Sequence, residues 1–197
     1  MVQVSTREIG RAAVRDELAR IALIRFLESG FDEVTFEDLA VAGGVSRSTF
    51  LRYFGSKEDV ALHVFDPLTE AMSIALSERP RSENAWVALR RAVDPAVRLI
   101  TDQPESGLTL LRLVWQTPAL WSRLHEKQAT WRLALVDRLQ DRVAEPSASP
   151  LALQTQAMAA LGCVMIAFDR WVHSEGRDDL EALTDAAFAA LTHLDAD

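Results

Sequence analysis

Between Thr35 and Gly55 the chain sets out two helix starts, a glycine pair and a helix stop in close succession. Thr35 precedes Phe36 to Ala42, with Asp38 three residues on. Ser46 precedes Arg47 to Phe54, Gly43-Gly44 lies between the two segments, and Gly55 follows them. A hydroxyl residue ahead of a helix accepts hydrogen bonds from the free N–H groups of the first turn, and an acid three residues later returns the bond. Glycine supplies positive φ at a tight turn or a helix end with little steric strain. The pattern predicts two helices of about seven residues joined by a Gly-containing turn, a helix-turn-helix. Phe36, Leu39, Val45, Phe50 and Phe54 fall where such a unit needs its core.

The remainder also reads as helix, since no alternating run with turn signals marks a strand. A first helix opens at Ser5, with Glu8 completing a capping box, and runs to Ser29-Gly30. Leu18, Ile21, Ala22 and Phe26 recur along it at helical spacing. On the same helix Arg7, Arg11 and Arg15 form a basic stripe. Glu8, Asp16 and Glu17 stand close enough to balance it as a solvated face, so both readings stay open. Ser56 starts a helix to near Ser77, interrupted by Pro67, and Ser82 starts another to near Asp102 with Pro95 inside. Pro104 to Gly107 reads as a loop and Leu108 to Trp115 as a short apolar helix. A long segment follows from Pro118 to near Val143, then a loop from Glu145 to Pro150. Leu151 to Ser174 and Asp178 to Leu194 complete an all-α chain of about nine helices.

Composition narrows the function classes. With 49% apolar and 25% charged residues, 8 Gly and 7 Pro, the chain is not of a disordered or low-complexity class. One cysteine, Cys163, leaves no disulfide framework and no cysteine zinc cluster, and its apolar neighbours make it a core residue. His63, His125, His173 and His193 show no metal-ligand spacing, and no cofactor is expected. The longest apolar run, Ala157 to Phe168, is far short of the roughly 20 residues that span a bilayer. No secretory leader is read, so the expectation is a cytoplasmic protein with no membrane partner. Nucleophile-elbow, Walker, zincin and dinucleotide motifs do not occur, which argues against an enzyme. An unrecognised enzyme and a helical protein-interaction module remain the alternatives. The net charge is −8, but residues 1–57 carry eight basic and eight acidic residues, so the excess lies wholly in 58–197. From Val45 to Lys57 there are only basic charges: Arg47, Arg52 and Lys57. A neutral module with a local basic segment, 1–57, thus precedes an acidic body, 58–197.

The stretch TFEDLAVAGGVSRSTFLRYFGSKED, Thr35 to Asp59, closely resembles the DNA-binding signature of TetR-family transcriptional regulators. FLESGFDEV, Phe26 to Val34, is similar to the end of that family's first helix. The resemblance covers about residues 15–62. More loosely, the DPLTE, QTPALW and FDRWV stretches resemble a subgroup with an acyl-CoA-like ligand-binding domain. The likeness implies an N-terminal three-helix DNA-binding domain and a C-terminal helical domain for ligand binding and dimerisation. It implies a repressor that binds a palindromic, double-stranded operator as a homodimer and is released by a small-molecule effector. A recognition helix of two turns enters the major groove with its N-terminal residues at base edges. Arg47, Ser48 and Thr49 are those residues here, Arg47 being suited to a bidentate contact with guanine. By the family pattern Arg52 and Tyr53 face the DNA backbone. Lys57 and Thr35, at helix N-termini, would hold phosphates. Leu51 departs from the aromatic residue usual at its position, and Arg25 stands where the family is normally apolar.

Two features of the body bear on regulation. Leu180, Leu183, Ala187, Leu191 and Leu194 form a stripe, and Leu151 to Ser174 is apolar nearly all round its middle; the pattern fits one intramolecular core or a four-helix homodimer interface, and the resemblance implies the dimer. All five tryptophans lie outside the DNA-binding module. Trp115, Trp121 and Trp131 cluster around Pro118, with Arg112, His125 and Arg132 nearby in sequence. Trp86, Arg112, Trp115, Trp121, His125, Trp131, Met165 and Phe168 are the expected lining of a pocket for an apolar ligand with an anionic head; for each tryptophan singly, a packed-core or surface position is the alternative.

Overall fold

A computed structural model describes residues 5–142 and 149–192. Among them the chain forms α1 (Thr6–Ser29), α2 (Phe36–Ala42), α3 (Arg47–Tyr53), α4 (Lys57–Ala61) and a 3-10 turn (His63–Phe65). It continues with α5 (Leu68–Ser77), α6 (Ala85–Ala92), α7 (Asp94–Thr101), α8 (Pro104–Gln116), α9 (Pro118–Arg142), α10 (Pro150–His173) and α11 (Leu180–Thr192). The described residues contain no strand, so the all-α expectation holds.

Two expected helices are each divided, which turns nine into eleven. The helix from Ser56 stops at Ala61 and is followed by the 3-10 turn; Pro67 then stands as the N-cap of α5, where its missing N–H removes no helical bond. The segment from Ser82 to Asp102 breaks at Val93. Asn84, not Ser82, caps α6, its side chain accepting from Trp86 N at 2.8 Å. Pro95 lies in the first turn of α7, where its missing N–H removes no helical bond. Pro104 to Gly107, expected as a loop, is the first turn of α8 for the same reason. Val143, the loop residues from Glu145 to Ala148, His193 and Leu194 lie outside the described residues.

The chain divides into two compact units. The first comprises Met1–Asp66 with Leu113–Leu124, the second Pro67–Arg112 with His125–Asp197. The first therefore extends past the 57/58 boundary drawn from sequence, because α4 and the 3-10 turn pack on α1. Its core is Leu18, Ala22, Phe26, Leu39, Phe50, Phe54, Leu62 and Phe65.

In the second unit Leu76, Leu89, Ile100, Leu135, Ala157, Phe168, Trp171 and Phe188 are buried. Two arginines tie its helices. Arg142 on α9 donates to the carbonyls of Leu76, Arg79, Pro80 and Glu83, closing the C-terminal end of α5. Arg90, buried on α6, joins Asp94 on α7 and Asp185 on α11 and stacks on Phe188. Helix α10 has the length and apolar composition to cross a membrane. Its apolar side instead packs on α6 and α11 within this unit. Cys163 is buried there, its thiol directed at the Ala187 carbonyl, and burial pushes the thiol pKa up.

Candidate nucleic-acid interface

The helix-turn-helix is organised by local bonds. Thr35 Oγ1 accepts from Asp38 N at 3.2 Å while Asp38 accepts from Thr35 N at 2.8 Å, a complete capping box on α2. The same hydroxyl donates to Asp38 at 2.6 Å, and these bonds hold the Asp38 carboxyl below its ordinary pKa. Thr35 thus has its hydroxyl proton engaged and a carboxylate beside it. At α3, Ser46 Oγ accepts from Thr49 N at 3.1 Å and contacts the hydroxyls of Ser48 and Thr49 at 3.0 and 2.9 Å. Gly44, at φ +65°, makes the turn between the helices in a conformation that only glycine adopts readily.

Phe50 anchors α3 from below. It is fully buried, its ring 6.0 Å from Phe36 and 5.4 Å from Phe54. The opposite face of α3 presents Arg47, Ser48, Leu51 and Arg52 to solvent, while Thr49 and Tyr53 are half-buried. Arg25 is exposed and paired with Glu28 at 3.3 Å, so its polar character is accommodated at the surface of α1.

Lys57 is placed differently from the expectation of a phosphate clamp. Its Nζ donates to the carbonyls of Phe31, Asp32 and Val34 at 2.9, 3.4 and 2.8 Å, and lies 4.8 Å from the Phe31 ring centroid. Three ammonium protons meet three carbonyls, so in the free protein Lys57 holds the loop between α1 and α2. Lys57→Met is expected to lower the stability of this unit by about 2 kcal/mol, by removing charge-assisted bonds and leaving carbonyls unpaired. It should leave the salt dependence of DNA binding unchanged. Urea denaturation and titrations at several salt concentrations check both halves.

A network that sequence spacing does not reveal joins α1 to the residues before α5. His63 Nδ1 lies 2.9 Å from Asp66 and Nε2 lies 2.7 Å from Asp16. Arg15 reaches Asp66 at 3.2 Å and stacks over Phe54, so it leaves the basic stripe. The Asp66 hydrogen bond is the main cause that raises the His63 pKa above its ordinary value; burial opposes it, Asp16 adds to it and Arg15 opposes it. Both ring nitrogens can donate only as the imidazolium. A raised native pKa means that this stabilisation is fully present below the unfolded value of about 6.5 and is lost as pH rises through the higher native one. Thermal unfolding of this unit should therefore shift downward as pH rises above the unfolded value of about 6.5, and His63→Gln should flatten that dependence.

The residues expected to line a ligand pocket are divided between the units. Trp115 and Trp121 lie in the first, edge to face at 4.8 Å. Trp86, Arg112, His125, Trp131, Met165 and Phe168 lie in the second. There Trp131 and Phe168 are buried, Trp86, Arg112 and Met165 half-buried, and His125 exposed. Trp86 Nε1 donates to the Phe188 carbonyl at 3.2 Å, with the two rings 4.6 Å apart. The second unit also has an open groove of about 530 Å³ between α5 and α9, lined by Thr69, Glu70, Ser73, Ile74, Ser77, Glu78, Ala134, Asp137 and Arg138. None of the expected pocket residues is in it. Its three acids against one arginine, itself paired with Asp137 and Asp141, do not suit an anionic ligand. No group of His, Cys, Asp and Glu able to hold a metal occurs among the described residues.

Comparison with known proteins agrees with this architecture. Residues 22–64 match the family model described as bacterial regulatory proteins, tetR family, and residues 83–194 match the MftR C-terminal domain. The HTH-type transcriptional regulator TcmR of Streptomyces glaucescens is 38% identical over 112 residues, which is 54% of this chain and 50% of TcmR. The chain thus aligns with half the length of that relative. MftR of Mycobacterium tuberculosis, whose name ties it to regulation of mycofactocin biosynthesis, is 26% identical over 184 residues, 91% of this chain and 88% of MftR. Among solved structures, NalD, the secondary repressor of a multidrug efflux pump in Pseudomonas aeruginosa, aligns with TM-score 0.61 at 18% identity, covering 92% of this chain and 95% of NalD. FadR of Bacillus subtilis, solved with stearoyl-CoA, aligns with TM-score 0.60 at 20% identity, covering 88% and 95%. At such identities the structural likeness carries the fold alone. The two family models, one of which spans more than half of the chain, carry the assignment: this protein belongs to the TetR family of bacterial transcriptional regulators.

Proposed function

We propose that the chain is a repressor that binds a palindromic operator as a homodimer and leaves it when an amphipathic small molecule occupies the second unit. The observation that carries the DNA half is the outer face of α3, where Arg47, Ser48, Leu51 and Arg52 are exposed opposite a buried Phe50. In the major groove Arg47 would pair with guanine O6 and N7, a contact worth about 1–3 kcal/mol of discrimination. Ser48 and Thr49 would accompany it at base edges and Leu51 would meet a thymine methyl. Thr35, Arg52 and Tyr53 would orient the helix on phosphates, and Lys57 would keep the loop beneath it in place.

A single recognition helix gives weak binding, and two spaced by about 34 Å read a palindrome. The proposed dimer surface is the outer side of α10 and α11. Met158 and Ile166 are 55% and 67% exposed there, with Ala186, Ala189 and Ala190 leaving a low profile on α11. Ile166→Arg is the variant that tests this surface, as loss of the dimer. For the ligand, Trp86, Trp131, Met165 and Phe168 of the second unit would supply apolar surface, and Arg112 and His125 would suit an anionic head. The stearoyl-CoA seen with FadR, a neighbour in fold, supports an acyl-CoA-like chemistry. A ligand that favours one spacing of the two DNA-binding units over another shifts the population and hence the DNA affinity. The setting for this work is the cytoplasm, where the DNA is.

The experiment is a titration of the purified chain against labelled duplex from the promoter region of its own gene, at two salt concentrations. Saturable, salt-sensitive binding at two protomers or a multiple per site supports the reading, as does roughly 5- to 150-fold weaker binding by Arg47→Ala. Release by long-chain acyl-CoA supports the ligand half. Binding no tighter than to a random duplex, on any fragment selected from the genome, would refute the DNA half.

A further inference from the structure

Of the eight basic residues in 1–57, four have a partner that accounts for their charge: Arg15 with Asp66, Arg20 with Glu17, Arg25 with Glu28, and Lys57 with three carbonyls. Arg7, Arg11, Arg47 and Arg52 are exposed and have no ion pair among the described residues. Two of these sit on α3. The other two sit on α1, one turn apart, and the geometry links Arg11 to α3: its guanidinium lies over the Tyr53 ring, 5.8 Å from the centroid.

The acids that stand near Arg7 and Arg11 in sequence are engaged elsewhere. Glu8 accepts from Ser5 N at 2.8 Å, Asp16 lies 2.7 Å from His63, and Glu17 holds Arg20 with two bonds at 2.9 and 2.7 Å. The stripe is therefore not a balanced solvated face. Exposed cations left without anions, one of them stacked on the helix that reads bases, mark a surface for a polyanion.

We propose that Arg7 and Arg11 form a second DNA contact, blind to sequence, which grips the phosphate backbone beside the bases read by α3. One helical turn separates the two residues, about 6 Å along the axis, so two phosphates of one strand are within their joint reach. Stacking on Tyr53 holds the Arg11 guanidinium in place before DNA arrives, which lowers the entropic cost of docking. The inference rests on the DNA-binding reading above and adds to it a flank that α3 does not touch.

The test uses the full chain and a duplex that the wild-type protein selects from a random-core pool, with flanks of about ten base pairs on each side. Affinity is measured across a salt series for wild type, Arg7→Ala, Arg11→Ala and Arg20→Ala. Removing one phosphate interaction should reduce the slope of log affinity against log salt by about 0.9 per protomer. Arg7→Ala and Arg11→Ala should show that reduction and should weaken selected and scrambled duplexes by the same factor. Arg20→Ala, a paired arginine on the same helix, should match wild type. Trimming the flanks should lower the wild-type slope by the sum of the two single-variant reductions, because both contacts go at once. All three substitutions place alanine on an exposed helix surface, where it favours the fold. Unchanged slopes for both Arg7→Ala and Arg11→Ala, with wild type binding its selected duplex, would overturn the flank contact alone. A wild-type protein that selects no sequence overturns the DNA-binding reading and this contact with it.

Discussion

Phe50→Ala is expected to abolish sequence-specific DNA binding without touching a residue that meets DNA. Phe50 is 0% exposed and its ring is held between Phe36 and Phe54. Truncating a buried Phe to Ala costs about 3–5 kcal/mol, from lost transfer energy and the cavity left behind. A unit of roughly this size seldom stands more than about 3–5 kcal/mol above its unfolded state. The substitution thus brings the first unit to the edge of unfolding, and α3 with it. The second unit has its own buried core and should remain folded. Thermal unfolding followed by circular dichroism should show one early transition and one unchanged. Phe50→Leu, which nearly conserves volume, should lose no more than about 1.5 kcal/mol and keep its DNA affinity. An alanine variant that melts and binds like the wild type would show that α3 is held by something other than its aromatic anchor.

The same residues explain why this part of the fold was legible in the sequence. The caps of α1, α2, α3 and α4 are each made by a hydroxyl and a backbone N–H three residues on: Ser5 and Glu8, Thr35 and Asp38, Ser46 and Thr49, Ser56 and Asp59. Such bonds are set by local sequence, so reading them needs no knowledge of tertiary contacts. Lys57 shows the limit. At a helix start with positive charge it reads as a phosphate ligand, yet its partners are more than twenty residues upstream. The His63 network fails to show for the same reason, since Asp16 is 47 residues away. The stripe of Arg7, Arg11 and Arg15 is intermediate. Periodicity aligns the three, but only the network around His63 separates Arg15 from the other two.

In the second half the signals are weaker because they depend on proline and tryptophan. Proline marks a break or a first turn equally well, and only the packing tells which: Pro67 lies in a break, while Pro104 starts a helix. The tryptophans are close in sequence around Pro118, but the division between the units runs through α8 and α9 and separates Trp115 and Trp121 from Trp131. Trp121 and Trp131 stand on one helix, α9, yet fall in different units, a division that spacing along the chain does not mark.

Gly107 provides the corresponding large effect in the second unit. In a Pro-Glu-Ser-Gly string it reads as a loop residue; in the structure it is helical, in the first turn of α8, and buried. Its φ is not positive, so conformational freedom is not what it supplies. What it supplies is room. A Cβ at this position would fall well inside contact distance of the Ile100 carbonyl oxygen, 2.9 Å from Ile100 Cγ2 and 3.1 Å from its carbonyl carbon. The obstacle is largely the backbone of α7, which cannot rotate aside as a side-chain tip would. Ile100 is itself fully buried. Gly107→Ala should therefore destabilise the second unit by about 3 kcal/mol, the upper part of the range for overpacking, despite the better helix propensity of alanine. Gly107→Val, with two more carbons, should fail to fold this unit. The control is Gly10→Ala on α1, where nothing lies within 4 Å of the added carbon. There helix propensity acts alone and should raise stability by up to about 1 kcal/mol. Urea denaturation of both variants gives opposite signs if α7 and α8 meet at Gly107 as described. A neutral Gly107→Ala would mean that α8 can shift away from α7, and that the first turn of α8 is not fixed by this contact.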